Sequence, residues 1–134
     1  MKKRTITLTN RPPVRINEED WPLIASARDK EFDGQFEFQA NMTSIWFIGV
    51  RQHEDGRAIV YARYSFSTNW QGHRDFSAAR GVLLTAEEAE GDGIVEAILT
   101  VADDIAGAEC DGDDADRWGT LKMDCIASLP VEEL

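Results

Sequence analysis

Apolar and polar residues alternate along some stretches of the chain and recur at helical spacing in others. Thr5-Ile6-Thr7-Leu8-Thr9 puts Ile6 and Leu8 on one side of an extended segment, the period-two signature of a half-buried strand. Pro12-Pro13 is expected to end that strand and impose an extended connection. Asn17-Glu18-Glu19-Asp20 has the composition of a helix start, with Asp20 as the cap ahead of Pro22. Trp21, Leu23, Ile24 and Ala27 would then form the apolar face of a helix ending near Phe32-Asp33-Gly34. Phe36 and Phe38 alternate with Gln35, Glu37 and Gln39, which predicts a half-buried strand. Ile45 to Val50 is apolar at every position and predicts a central strand covered on both sides.

Asp55-Gly56 fits a tight hairpin turn. Beyond it, Val60, Ala62, Tyr64 and Phe66 fall on one face of a strand, with Ile59, Tyr61 and Arg63 on the other. These segments predict a three-strand antiparallel meander. Ser67 to Ala79 reads as a polar connection, and Gly81 to Thr85 as a short edge strand. Thr85 and Glu88 have capping-box spacing, although Gly91 and Gly93 interrupt any helix there. Ile94, Ile98, Val101 and Ile105 repeat at helical spacing up to a stop at Gly107. An acidic loop is expected over 107–116. Trp118, Leu121, Cys125 and Leu129 then mark a last helix closed by Pro130. The fold expected is α+β, a three- to five-stranded antiparallel sheet with a meander core, packed against two to three helices. With 134 residues, no linker and no internal repeat, the chain reads as one domain spanning 1–134.

Composition changes this picture mainly through charge. Four tryptophans, six phenylalanines and two tyrosines are enough for a real core, so the net charge of -11 does not imply disorder. That charge is unevenly placed. Lys2, Lys3, Arg4, Arg11 and Arg15 stand in an N-terminal stretch without an acid. Residues 86–116 have no base at all, yet they contain Glu87, Glu88, Glu90, Asp92, Glu96, Asp103, Asp104, Glu109, Asp111, Asp113, Asp114 and Asp116. Ordinary surfaces intersperse the two signs. Such a block repels nucleic acid and favours a basic partner. Its alternative reading is a solvated face that keeps the protein soluble. The longest apolar run, Ser44 to Val50, falls far short of the roughly 20 residues that cross a bilayer. The basic N-terminus has no apolar segment behind it. The expectation is a cytoplasmic protein without membrane contact.

Recognisable chemistry is sparse. Asp111 to Asp116 resembles a calcium loop only in its acids, because the sixth and twelfth positions are Asp116 and Lys122 where glycine and glutamate are needed. His53, His73, Cys110 and Cys125 are zinc-ligand types without zinc-ligand spacing. No metal or cofactor is expected. Ser65, Ser67, His73 and Asp75 are close in sequence, but no nucleophile elbow, Walker loop or dinucleotide fingerprint accompanies them. A small enzyme using His73 and Asp75 therefore ranks behind a binding protein. Trp70, His73 and Arg74, around Gly72, would suit a protein-contact loop, the basis of a second reading as a plain accessory or regulatory interaction module. The N-terminal bases could grip nucleic acid, but against the acidity of the remainder no direct nucleic-acid binding is expected.

Three segments carry a resemblance: Ile6 to Ala27, Val50 to Tyr61, and Asp124 to Leu134. They are similar to segments of small accessory proteins of bacterial plasmids, integrative elements and prophages. The resemblance supplies no catalytic residue. It implies a setting in which small acidic inhibitors of host defence are common, including anti-CRISPR and anti-restriction proteins. The acidic block departs from the shared segments. The function expected is thus an acidic DNA mimic, a non-enzymatic inhibitor that presents carboxylates to a basic protein of a nucleic-acid-handling complex. Its contact residues would be Glu87, Glu88, Glu90, Asp92, Asp103, Asp104, Glu109, Asp111, Asp113, Asp114 and Asp116, joined by the Trp70 loop.

Overall fold

A computed structural model of the chain describes residues 2–35, 40–68, 75–109 and 112–130, with side chains described for 2–31, 42–68, 75–107 and 116–130. Strands β1 (Lys3–Leu8) and β2 (Arg11–Asn17) form an antiparallel hairpin. Strands β3 (Leu23–Gln35), β4 (Ala40–Gln52), β5 (Ala58–Thr68) and β6 (Phe76–Leu84) form a four-stranded antiparallel meander in that order. Helices α1 (Gly93–Glu109) and α2 (Gly112–Ala127) follow. The fold is α+β.

The pleat of β4 explains the layering. Trp46, Ile48 and Val50 point to one side and are buried beneath the helices with Val60, Ala62 and Ala27. Helix α1 lies over β5 and β6, and α2 over β3 and β4. Ile98, Val101, Ala102 and Ile105 of α1, and Trp118, Leu121 and Cys125 of α2, complete this core. On the other side of the sheet the β1–β2 hairpin covers part of β5 and β6. Its Ile6, Leu8 and Ile16 join Trp21, Ile59 and Tyr61 in a second, smaller core.

Several expectations hold. The central strand, the two faces of β5 and the β6 edge strand are present, and Gly56 turns the β4–β5 hairpin with a φ of 99°. Thr85 and Glu88 make the reciprocal capping bonds, at 3.0 and 3.1 Å, and the helix itself starts only at Gly93.

Other expectations are corrected. The helix expected from Asp20 to Gly34 is strand β3. Asn17 to Trp21 does make one turn, with the Trp21 N–H donating to the Asn17 carbonyl at 3.2 Å. Pro22, which has no N–H, halts it there. Trp21 then enters the hairpin-side core while Ala25 and Ala27 enter the helix-side core, so the apolar residues serve two layers and not one helical stripe. Pro12 and Pro13 lie within β2, where a strand with a single neighbour tolerates them; the turn is made earlier, with Asn10 at φ 58°. The meander has four strands: β4 and β5 match two of the expected three, β3 lies before them, and the expected edge strand follows as β6. Part of the polar connection is strand, since β5 runs to Thr68 and β6 begins at Phe76. The acidic loop over 107–116 is largely helix: α1 continues past Gly107 to Glu109 and α2 begins at Gly112. The strand expected at Phe36 and Phe38 lies outside the described residues.

Both edge strands meet a side-chain hydroxyl. At β6, Thr9 Oγ1 accepts the Gly81 N–H at 3.1 Å, and the Thr9 N–H donates to the Gly81 carbonyl at 2.8 Å. At β3, Ser128 Oγ accepts the Ser26 N–H at 3.1 Å and lies 3.2 Å from the Ser26 carbonyl and 2.8 Å from that of Cys125.

Candidate functional site

The acidic block builds the outer surface of α1 and of the turn before it. Ala89 is buried and pins that turn to the helix-side core, while Glu87, Glu88, Glu90 and Asp92 around it are exposed. The Glu88 carboxyl is held below its ordinary value of 4.5, chiefly by the Thr85 N–H that donates to it and then by the Thr85 hydroxyl. It therefore stays ionised at neutral pH. Along α1 the apolar stripe faces the sheet, which leaves Glu96, Asp103 and Asp104 on the outer side. Lys122 of α2 reaches across to Asp103 at 3.3 Å. Among the described residues, Glu87, Glu90, Asp92, Glu96 and Asp104 have no ion pair.

Asp116 does not join this group. It stands on α2 beside a shallow depression that also holds Arg28, Asp29, Arg117 and Asp124, where the signs are mixed. Arg117 bonds Asp29 and Glu31 of β3, both at 2.7 Å, and lies 3.9 Å from the centre of the Trp46 ring. The side chains of Glu109, Asp113 and Asp114, and the whole of Asp111, lie outside the described residues. So do Trp70, His73 and Arg74, and with them the contact loop.

Asp75, paired in sequence with His73, is exposed, and its carboxylate accepts the Thr68 N–H at 2.9 Å across the β5–β6 connection. Cys125 is fully buried, and desolvation raises its thiol to about 11. It is a core residue, inert as a nucleophile or ligand at neutral pH. His53 is half-buried, with its ring 5.1 Å from that of Trp21. Cys110 and His73 lie outside the described residues.

The fold also assembles a feature that sequence reading missed. Arg4, Arg28, Arg51 and Arg63 line one groove of about 530 Å³ on the hairpin side of the sheet. Arg51 is buried at its inner end. It donates to the Tyr61 hydroxyl and the Trp21 carbonyl, both at 3.0 Å, and lies 3.9 Å from the Glu18 carboxylate. Arg4 donates to Glu18 at 2.6 Å. That hydrogen bond is the main reason the Glu18 carboxyl sits below its ordinary value of 4.5, with the charges of Arg4, Arg51 and Lys2 adding to it. No local motif signals this groove. Its arginines come from four strands, and only the pairing register brings them together.

These features define an α+β protein with an acidic helical layer and a basic sheet face. Comparison with family models, curated proteins and solved structures finds no match for the chain. No helix among the described residues is long and apolar enough to cross a membrane.

Proposed function

We propose that the protein is a non-enzymatic acidic binding protein, whose α1 surface and preceding turn dock on a basic protein surface that otherwise holds nucleic acid. The observation that carries this reading is the group Glu87, Glu90, Asp92, Glu96 and Asp104, exposed and without ion pairs among the described residues. Charge density refines it. Helix α1 has 17 residues and is about 25 Å long. Duplex DNA places one charge on about every 1.7 Å of its axis. The acids of α1 and its turn are sparser than that. The face would therefore compete for a basic groove by its overall field, and not by copying phosphates one for one. The resemblance to accessory proteins of mobile elements points to a host-defence complex, of the anti-restriction or anti-CRISPR kind, as the target.

The test is capture from bacterial host cells at low and high salt, followed by competition between this protein and DNA for the captured partner. Neutralising Glu87, Glu90, Asp92, Glu96 and Asp104 together (E87Q, E90Q, D92N, E96Q, D104N) should abolish both the capture and the competition. Capture by that variant at wild-type strength would end the proposal.

A further inference from the structure

The hairpin leaves half of its side of the sheet uncovered by other described elements. Across β3, β4 and β5, Arg28 pairs with Phe47 and Phe47 with Arg63, so the three share one row on that face. In the next row outward, Lys30 pairs with Ile45 and Ile45 with Ser65. Gly49 makes room on this floor for the Phe47 ring. A Cβ there would lie 2.8 Å from the edge of the Phe47 ring. The missing side chain lets the ring fold back over the strand, toward Tyr61 at 5.5 Å between centroids. The Arg63 guanidinium lies 5.7 Å from the centre of the Phe47 ring. Arg28, Lys30 and Arg63 are the cations here without an ion pair among the described residues, whereas Arg4 and Arg51 share Glu18.

We propose that this groove binds single-stranded nucleic acid, with a base stacked on Phe47 in place of the Arg63 guanidinium that lies over the ring, and phosphates held by Arg28, Lys30 and the displaced Arg63. An aromatic platform bordered by cations is the combination that binds single strands without reading sequence. Arginine suits the phosphates, because its planar fork donates two parallel hydrogen bonds. The groove volume of about 530 Å³ is in the usual range for a ligand site and fits a nucleotide at its floor. A duplex, whose bases are stacked inside, cannot offer a base to Phe47. The net charge of -11 does not forbid this. The acidic layer lies on the opposite side of the sheet, and the screening length is only about 10 Å at 0.1 M salt.

The experiment is fluorescence anisotropy of the full chain with a labelled oligothymidylate of about ten nucleotides, a length within the span of known single-strand sites. Three phosphate contacts predict that log affinity falls with log salt at a slope of about -2. R28Q/R63Q, which changes exposed side chains only, should weaken binding at least about tenfold and flatten that slope to about -0.7. F47L, verified as folded by its thermal melt, should weaken binding about fivefold by removing the stacking surface. The α1 variant neutralised at five carboxylates should bind the oligonucleotide at least as well as wild type, so this result and the partner-capture result can fail separately. The proposal is overturned if no binding occurs at low salt or if R28Q/R63Q binds as wild type does. It is equally overturned if thymidine monophosphate, duplex DNA or polyglutamate competes as well as the single strand.

Discussion

The two sides of the four-stranded sheet differ in both core and charge. Under the helices lies the larger core, built around Trp118, Ile48, Ile98 and Ile105, and its outer surface is acidic. Under the hairpin lies a small core of Ile6, Leu8, Ile16, Trp21, Ile59 and Tyr61, and the surface around it is basic. The strands follow the same division. On β3, Arg28 and Lys30 share the hairpin-side face, while Asp29 and Glu31 face the helices and bond Arg117. Charges that alternate along β3 are thus separated onto opposite faces, with an apolar sheet between them. The difference teaches that net charge is a poor guide to what either face can bind.

The strongest way to break this comparison is through the cores. Trp118→Ala should destabilise the protein by about 3–5 kcal/mol, as expected for a fully buried aromatic residue. Ile16→Ala, in the hairpin-side core, should cost about 2 kcal/mol, the low end for aliphatic truncation. Urea denaturation measures both, and equal losses would mean the two cores are not of different rank. Arg51→Met comes next. It strips partners from Tyr61, the Trp21 carbonyl and Glu18, and should cost about 2 kcal/mol, the price of buried polar groups left unpaired. Hydrogen exchange should show the loss concentrated in β1 and β2.

Smaller effects sharpen the picture. Arg117→Gln removes a part-exposed pair of ion bridges and the contact with the Trp46 ring, together worth about 1 kcal/mol. It should leave the hairpin amides unchanged. The smallest effect is on pH dependence. Because the folded protein lowers the Glu18 pKa, it binds fewer protons than the unfolded chain just below 4.5. The contribution of Glu18 is complete above that pH and is lost as the pH falls through the lowered folded value. Glu18→Gln should remove this part of the acid sensitivity, which is read as hairpin amide exchange against pH. An unchanged profile would show that Glu18 does not tie the hairpin to the sheet.

What the sequence revealed followed from whether the signal was local. Ile45 to Val50, the alternation from Ile59 to Phe66, the Thr85–Glu88 pair and the stripe of α1 all carry their information within a few residues, and each was legible. Strand β3 was not. Trp21, Ile24 and Ala27 recur every three residues, which imitates a helix, but Trp21 joins the hairpin-side core while Ile24 and Ala27 pack on the helix side. The Gly- and Asp-rich stretch before Trp118 has poor intrinsic helix propensity, yet Gly112 to Asp116 is helical as the first turn of α2. The acidic half of the candidate surface was legible as a run of like charges. The basic half was not, because Arg4, Arg28, Arg51 and Arg63 are scattered over 60 residues and meet only through antiparallel register.

The two hydroxyls at the sheet edges have a consequence for behaviour at high concentration. A bare edge strand is a template on which another chain can add, the first step toward fibrils or domain-swapped aggregates. Here the Gly81 and Ser26 backbones, one on each outer strand, are already engaged by Thr9 and Ser128. A newcomer would have to displace bonds the chain makes to itself before it could pair past those points. Two small side chains, contributed from opposite ends of the sequence, thus stopper the sheet against runaway growth.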